Sequence, residues 1–187
     1  MEKIQVEIEG TTSLLQNKYN IEQEKERQKG HRVTKTYDAK EEAKKSAYWS
    51  SDGKHLIIPS QVLYASILNA SSFHKINRRS AKSILAGSIR IEPEEVPLLD
   101  EKGKPIEKYE IDTRPVVIQR ARVLKSRARI DKWKAKFEIV YNEKLIGDAE
   151  IIKTVLTEAG MRIGIMDFRP QKSGYYGTFN VTKFKTN

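Results

Sequence analysis

Positive charge is the chemistry most concentrated in this chain. In the stretch 114–136, RPVVIQRARVLKSRARIDKWKAK, nine cations (Arg114, Arg120, Arg122, Lys125, Arg127, Arg129, Lys132, Lys134 and Lys136) stand against one acid, Asp131. That stretch supplies most of the +10 net charge of the 187 residues. Fixed cations packed this densely neutralise a polyanion and release its counterions. Over 124–130 the residues alternate, with Lys125, Arg127 and Arg129 to one side and Leu124, Ala128 and Ile130 to the other, the period of a strand. Cations at every second residue stand about 6.6–6.8 Å apart, close to the phosphate spacing of an extended nucleic-acid strand. After a break at Asp131-Lys132, Trp133, Ala135, Phe137, Ile139 and Tyr141 alternate with Lys134, Lys136 and Glu138. The two runs read as one β-hairpin, apolar beneath and basic on top. Lysine-rich strand faces also serve solubility and edge protection, but such faces mix in acids, which this stretch nearly lacks.

A second group lies near the C-terminus, where Arg169, Lys172, Tyr175 and Tyr176 surround Gly174 and Gly177. Glycine lets backbone amides approach a phosphate, and a tyrosine ring stacks on a base for about 1–3 kcal/mol. The same residues equally describe a tight hairpin with aromatic packing. A third group, FHKINRR at 73–79, offers Lys75, Arg78 and Arg79 beside Phe73.

Catalytic chemistry is sparse by comparison. The three histidines, His31, His55 and His74, show no metal-ligand spacing, and there are no cysteines, which removes thiolate nucleophiles, disulfides and cysteine-based zinc sites together. Carboxylates occur singly or in solvated runs, Ser60 lies in no nucleophile-elbow pattern, and no catalytic residue, metal or cofactor is assigned. His31 or His74 would serve a metal-independent endoribonuclease as a general base, the weaker reading for each.

These groups need a scaffold. Ile4, Val6 and Ile8 alternate with charged residues as a half-buried strand ending at Gly10. Residues 20–47 mix both charges with few large aliphatics, a composition that orders itself weakly; they read as a charged insertion or arm, helix-like over 38–48. His55 to Ile58 reads as a strand. Ser60 then N-caps a helix carrying Val62, Leu63, Ile67, Ala70 and Phe73 at helical spacing. A short helix ends at Gly87, and Ile89 and Ile91 begin a strand. Residues 92–110 are acidic and proline-punctuated. Asp148 caps a second long helix, with Ile151, Ile152, Val155, Leu156 and Ala159 on one stripe and Gly160 placed to end it; a last strand covers 178–184. Two helices separated by antiparallel strands predict an α+β, RRM- or ferredoxin-like sheet with helices on one face, built as a single domain over 1–187. No apolar run reaches the roughly 20 residues that span a bilayer, so a soluble cytoplasmic protein is expected, with no membrane and no small-molecule substrate as partner.

Three stretches carry a resemblance. VEIEGTTSLL (6–15), LIIPSQVLYASILNA (56–70) and GIMDFRPQKSGYYGTFNV (164–181) resemble, in order, the opening strand and turn, the strand-to-helix segment and the glycine-rich loop of the RAMP superfamily, the RRM-fold proteins of CRISPR effector complexes. Ser13, Ala65 and Asn69 depart from the proline, glycine and arginine usual there. The chain is short for a CRISPR backbone subunit, which leaves room for a distant relative from a phage or mobile element. The resemblance implies binding of RNA, side-by-side assembly with copies of itself, and a thumb for which 20–47 is the candidate. It also places an RNA-cutting aspartate in that insertion in some members, where Asp38 is the one aspartate present. Residues and resemblance together lead to a single-stranded nucleic-acid binder, RNA before DNA, which grips phosphates with little sequence preference. The basic hairpin and the glycine loop carry the contact, and Trp133, Tyr175, Tyr176 and Phe73 are the stacking candidates. A stand-alone ssDNA-binding protein, the endoribonuclease and a purely structural assembly protein are the alternatives.

Overall fold

The computed structural model describes residues 1–19, 37–118 and 120–186; most of the expected insertion, with His31, lies outside them. Strand β1 (Glu2–Gly10) buries Ile4, Val6 and Ile8 and turns Lys3, Gln5 and Glu7 outward, as its alternation requires. It lies between β11 (Phe179–Thr186) and β10 (Lys134–Tyr141), and β10 in turn pairs with β6 (Ile89–Glu92), every pairing antiparallel. Helix α2 (Ser60–Ser71) links β1 to β6 through intervening segments, and helix α5 (Glu150–Glu158) links β10 to β11. Strand order β11-β1-β10-β6 with these two helical crossovers is the split βαβ arrangement of an RRM- or ferredoxin-like fold. Strands β7 (Glu95–Leu99) and β3 (Ile57–Pro59) extend the sheet beyond β10.

The helices cover the apolar side. Leu63, Ile67 and Ala70 of α2 and Ile152, Val155 and Leu156 of α5 are buried in the same core as Ile4, Ile8, Phe137 and Ile139, each large side chain contributing about 1.5–3 kcal/mol by leaving water. Two helix ends differ from the sequence expectation. Ser60 is the first residue of α2 and makes no capping hydrogen bond with its side chain. At the other helix, Gly160 does not stop the chain. The backbone continues as a π-turn over Ala159–Ile163 and ends at Gly164, where φ is +69°. Gly160 is instead a packing glycine, since a Cβ there would stand 2.1 Å from the Phe179 carbonyl oxygen. Asp148 does accept from the Glu150 amide, at 2.9 Å.

The predicted hairpin is the principal correction. Strand β9 (Ala121–Ile130) and β10 do not pair. The former belongs to a second sheet, between β2 (Leu14–Gln16) and β8 (Glu110–Ile118), whereas β10 is central in the first. Trp133 directs the separation: it is 2% exposed, donates from Nε1 to the Thr12 carbonyl at 2.9 Å, and lies so close to Gly10 that a Cβ there would meet it at 2.2 Å. It is thus a core anchor and not a stacking surface. The basic hairpin that does form is β8–β9, with Arg120 in its turn at φ +67°. Beyond Lys125 this hairpin leaves the core, and Leu124, expected on an apolar underside, is 52% exposed. Helix α1 (Ala39–Ser46), N-capped by Asp38 through the amides of Lys40 and Glu41, packs beside β9, where Ser46 Oγ accepts from the Ala128 amide at 2.8 Å. Two further short helices, α3 (Ala81–Ala86) and α4 (Glu143–Ile146), complete the layer, and no helix among the described residues is long and apolar enough to cross a membrane.

Candidate nucleic-acid interface

The rail of cations is present but not open. Lys125 Nζ lies 2.9 Å from Glu42 Oε1, and the second oxygen of Glu42 accepts the Ser126 amide. Arg127, 7% exposed, has Nε 2.5 Å from Asp167 Oδ2; the approach is an ion pair without hydrogen-bond direction, so Nε has no hydrogen-bond partner. Arg129 Nε sits 2.5 Å from Asp131, which also accepts from Ser13 Oγ. Lys132 pairs with Glu101, Lys134 with Glu9 and Lys136 with Glu7. The expectation of a bare basic strand face is therefore corrected. Apart from Asp131, two residues from Arg129, its acids come from α1, from the loop around Asp167, from β1 and from the turn at Glu101, all remote in sequence. The outward face of the main sheet is likewise filled by ion pairs, including Lys3 with Glu92 and Glu138 and Lys183 with Glu7. That face lacks the aromatics on which RRM sheets stack bases.

The glycine loop also works differently from the phosphate cradle expected of it. The Gly174 amide donates to the Arg169 carbonyl and the Gly177 amide to the Ser13 carbonyl, so neither is offered to a ligand. A Cβ at Gly174 would lie 1.7 Å from the Phe168 oxygen, and one at Gly177, where φ is +69°, 2.0 Å from the Ile165 oxygen. These glycines let the loop close on itself.

What the closed loop presents is aromatic. Phe168 and Tyr176 pack at 6.3 Å between centroids, and Tyr175 lies stacked on Tyr176 at 4.4 Å with planes 26° apart. Tyr176 is buried, whereas Tyr175 is 58% exposed. Arg114, on β8, reaches over Tyr176 with its guanidinium carbon 5.0 Å from the ring centre, donates to the Tyr176 hydroxyl, and is oriented by two bonds to Asp112 Oδ2 at 3.0 and 2.8 Å. Asp112, then the Tyr175 hydroxyl, raise the Arg114 pKa further above its ordinary value. The Tyr175 phenol is held below its usual value, first by its bond to Tyr176 and then by Arg114; burial pushes Tyr176 up. The result is a rigid aromatic step beside a guanidinium that is itself paired with Asp112. The platform contains Arg114, Tyr175 and Tyr176 from the sequence list; the support from Asp112 and Phe168 was missed, because nothing local marks either residue.

Among the described residues, Arg120, Arg122 and Lys172 are exposed cations without an acid partner, as are Lys75, Arg78 and Arg79 around the two-residue hairpin of β4 (Lys75–Ile76) and β5 (Arg79–Ser80). Arg169 is bound by its own loop, to the Met166 carbonyl and to Gln171. Phe73 is 55% exposed, with the Arg162 guanidinium 4.3 Å above its ring.

The solved structures place this geometry among known folds. No family model matches the chain, and no curated protein does. Among solved structures, a chain of the cryo-EM structure of the Type III-B Cmr-beta bound to cognate target RNA matches with a TM-score of 0.60 at 13% identity. The fold is shared. The match covers 99% of the present chain and 60% of the other, so this chain spans about three fifths of that one's length.

His74, the described candidate for a general base, is an intramolecular partner in this fold. Its Nε2 lies 2.8 Å from Glu158 Oε2, and Arg162 reaches the other oxygen at 3.2 Å. The bond to His74 chiefly, and then that to Arg162, hold the Glu158 carboxyl below its ordinary value against the opposing effect of burial. A depressed native pKa stabilises the fold fully above the unfolded carboxylate value of about 4.3, and that stabilisation is lost as pH falls through the lower native value. Glu158→Gln is thus expected to lower the thermal midpoint near neutral pH and to converge with the unaltered protein as pH falls from about 4.3 through the lower native value. Melting curves followed by circular dichroism across that range check the convergence.

Proposed function

We propose that this chain binds single-stranded RNA as a RAMP-type subunit of a multi-subunit ribonucleoprotein, and that it holds the strand without cutting it. The observation that carries the reading is the exposed Tyr175 ring, stacked on buried Tyr176 and flanked by Arg114. A base stacks on the open ring, a contact that tolerates any base, while phosphates meet the exposed cations without an acid partner, Arg120, Arg122 and Lys172. Shared fold with a chain of an RNA-bound complex supports RNA as the polymer, and the resemblance of the three sequence stretches supports a CRISPR effector as the setting, with copies of the chain as neighbours. Asp38 is occupied as a helix cap and His74 as a carboxylate partner, which favours holding over cleavage.

The test is the salt dependence of binding to a fluorescent oligoribonucleotide. Arg120→Glu with Lys172→Glu removes two exposed cations that have no acid partner. The pair is expected to weaken binding by about tenfold or more and to flatten the slope of log K against log salt by about 1.4, roughly 0.7 for each phosphate contact of a single strand. An unaltered protein that retains no RNA at low salt would overturn the reading; tighter binding of DNA of the same sequence would transfer it to the ssDNA-binding alternative.

A further inference from the structure

A cleft of about 400 Å³ opens on the other side of the loop that carries the platform, between that loop and helix α2, with Asn17, Gln61, Ala65, Asn69, Asp167 and Arg169 among its lining residues. Its size falls within the range of small-ligand pockets, about 300–1,000 Å³. Three consecutive residues connect it to the platform. Asp167 and Arg169 line the cleft, while Phe168 between them packs on Tyr176 and accepts the Tyr176 amide at 3.1 Å. One loop therefore forms a wall of the cleft and supports the platform.

We propose that the cleft takes one unstacked base of the RNA strand and favours a base bearing an exocyclic amine over uracil. The inference rests on the RNA-binding reading above and adds base selectivity to it. Its chemistry is that of Asp167. One carboxylate oxygen, Oδ2, meets Arg127 at 2.5 Å and accepts from Asn17 at 3.2 Å, which holds the group in place and offsets its charge. The other, Oδ1, has no partner among the described residues, and an ionised carboxylate only accepts. A phosphate there would be repelled. Adenine, cytosine and guanine each bring an amine that donates to Oδ1. Uracil brings a single ring N–H between two carbonyl oxygens, which face the carboxylate unfavourably. The side-chain amides of Asn69 and Gln61, also without hydrogen bonds among the described residues, supply both donor and acceptor to the rest of the base edge. Ala65 and Val62 give the apolar surface a ring requires.

Ala65 is exposed on α2, so Ala65→Phe fills the cleft without entering the core; a melting curve verifies the fold. The measurement is fluorescence anisotropy with oligouridine of about 15 nucleotides, a length sufficient for one such site, compared with the same oligomer carrying one central cytidine. The unaltered protein is expected to bind the cytidine oligomer about tenfold more tightly, as a hydrogen bond to a charged acceptor provides. Ala65→Phe is expected to erase the difference and leave the oligouridine affinity within about twofold. Equal affinities in the unaltered protein, or a preference that survives Ala65→Phe, overturn the base pocket while RNA binding stands. If neither oligomer binds, the RNA-binding reading falls and the pocket with it.

Discussion

Tyr175→Ala is expected to weaken single-stranded RNA binding by about 5- to 150-fold, the equivalent of the ~1–3 kcal/mol that one base–aromatic stack contributes. The effect is large because the ring is already immobilised. Its inner face rests on Tyr176, its hydroxyl lies 3.1 Å from the Tyr176 hydroxyl, and the Arg114 guanidinium stands over the Tyr176 ring. A base meeting such a ring orders little that is not ordered beforehand. With the outer face in water, truncation leaves no cavity in the core, and the thermal midpoint should move little. Tyr175→Phe keeps the stack and loses the hydroxyl bond, so it is expected to retain most of the affinity. Anisotropy titrations of the three proteins at one salt concentration decide the matter. If alanine binds as well as tyrosine, the platform is packing and not an interface.

Arg127→Glu is expected to destabilise the fold by about 3–5 kcal/mol, the range for breaking a buried ion pair by removal of one partner, and so to lower the thermal midpoint by about 6–20 °C for a domain of this size. From sequence this arginine belongs to a solvent-facing rail, where reversing Lys125, Arg127 and Arg129 together would abolish binding and spare the fold. In the structure it is buried against Asp167, and across the strand pair it stands in register with Asp112, whose Oδ1 is itself buried without a partner. A glutamate would place a third negative group between two carboxylates in a poorly solvated site. Arg127→Met removes the charge and keeps the stem, and is expected to fall between the two. Differential scanning calorimetry distinguishes the outcomes; an Arg127→Glu protein that melts with the unaltered one would show that this pair contributes nothing to stability.

The two cases mark where reading a sequence succeeds and where it stops. Ile4, Val6 and Ile8, the α2 stripe of Leu63, Ile67 and Ala70, and the α5 stripe ending at Leu156 were legible because alternation and helical spacing are local properties of the chain. The order strand, helix, strands, helix, strand then leaves few sheets to build. Strand partners were not legible. The runs on either side of Asp131 both have period two, and periodicity names a face without naming a neighbour, so β9 and β10 looked like one hairpin until Trp133 anchored β10 in the other sheet. The Gly174–Gly177 segment was visible as a tight turn. Whether its amides served a ligand or the loop itself depended on Arg169 and Ser13, which only folding brings near.

Composition and spacing alone determined that this chain is a strongly basic α+β domain with an unusually cation-rich strand and an aromatic, glycine-containing loop. Only the tertiary structure decided which of those cations stay available, because Glu42, Asp167 and Glu101 arrive from distant segments to neutralise Lys125, Arg127 and Lys132. Charge is a property of the residue, but the potential it presents to a ligand depends on every other charge within a few ångströms, and those distances are set by packing.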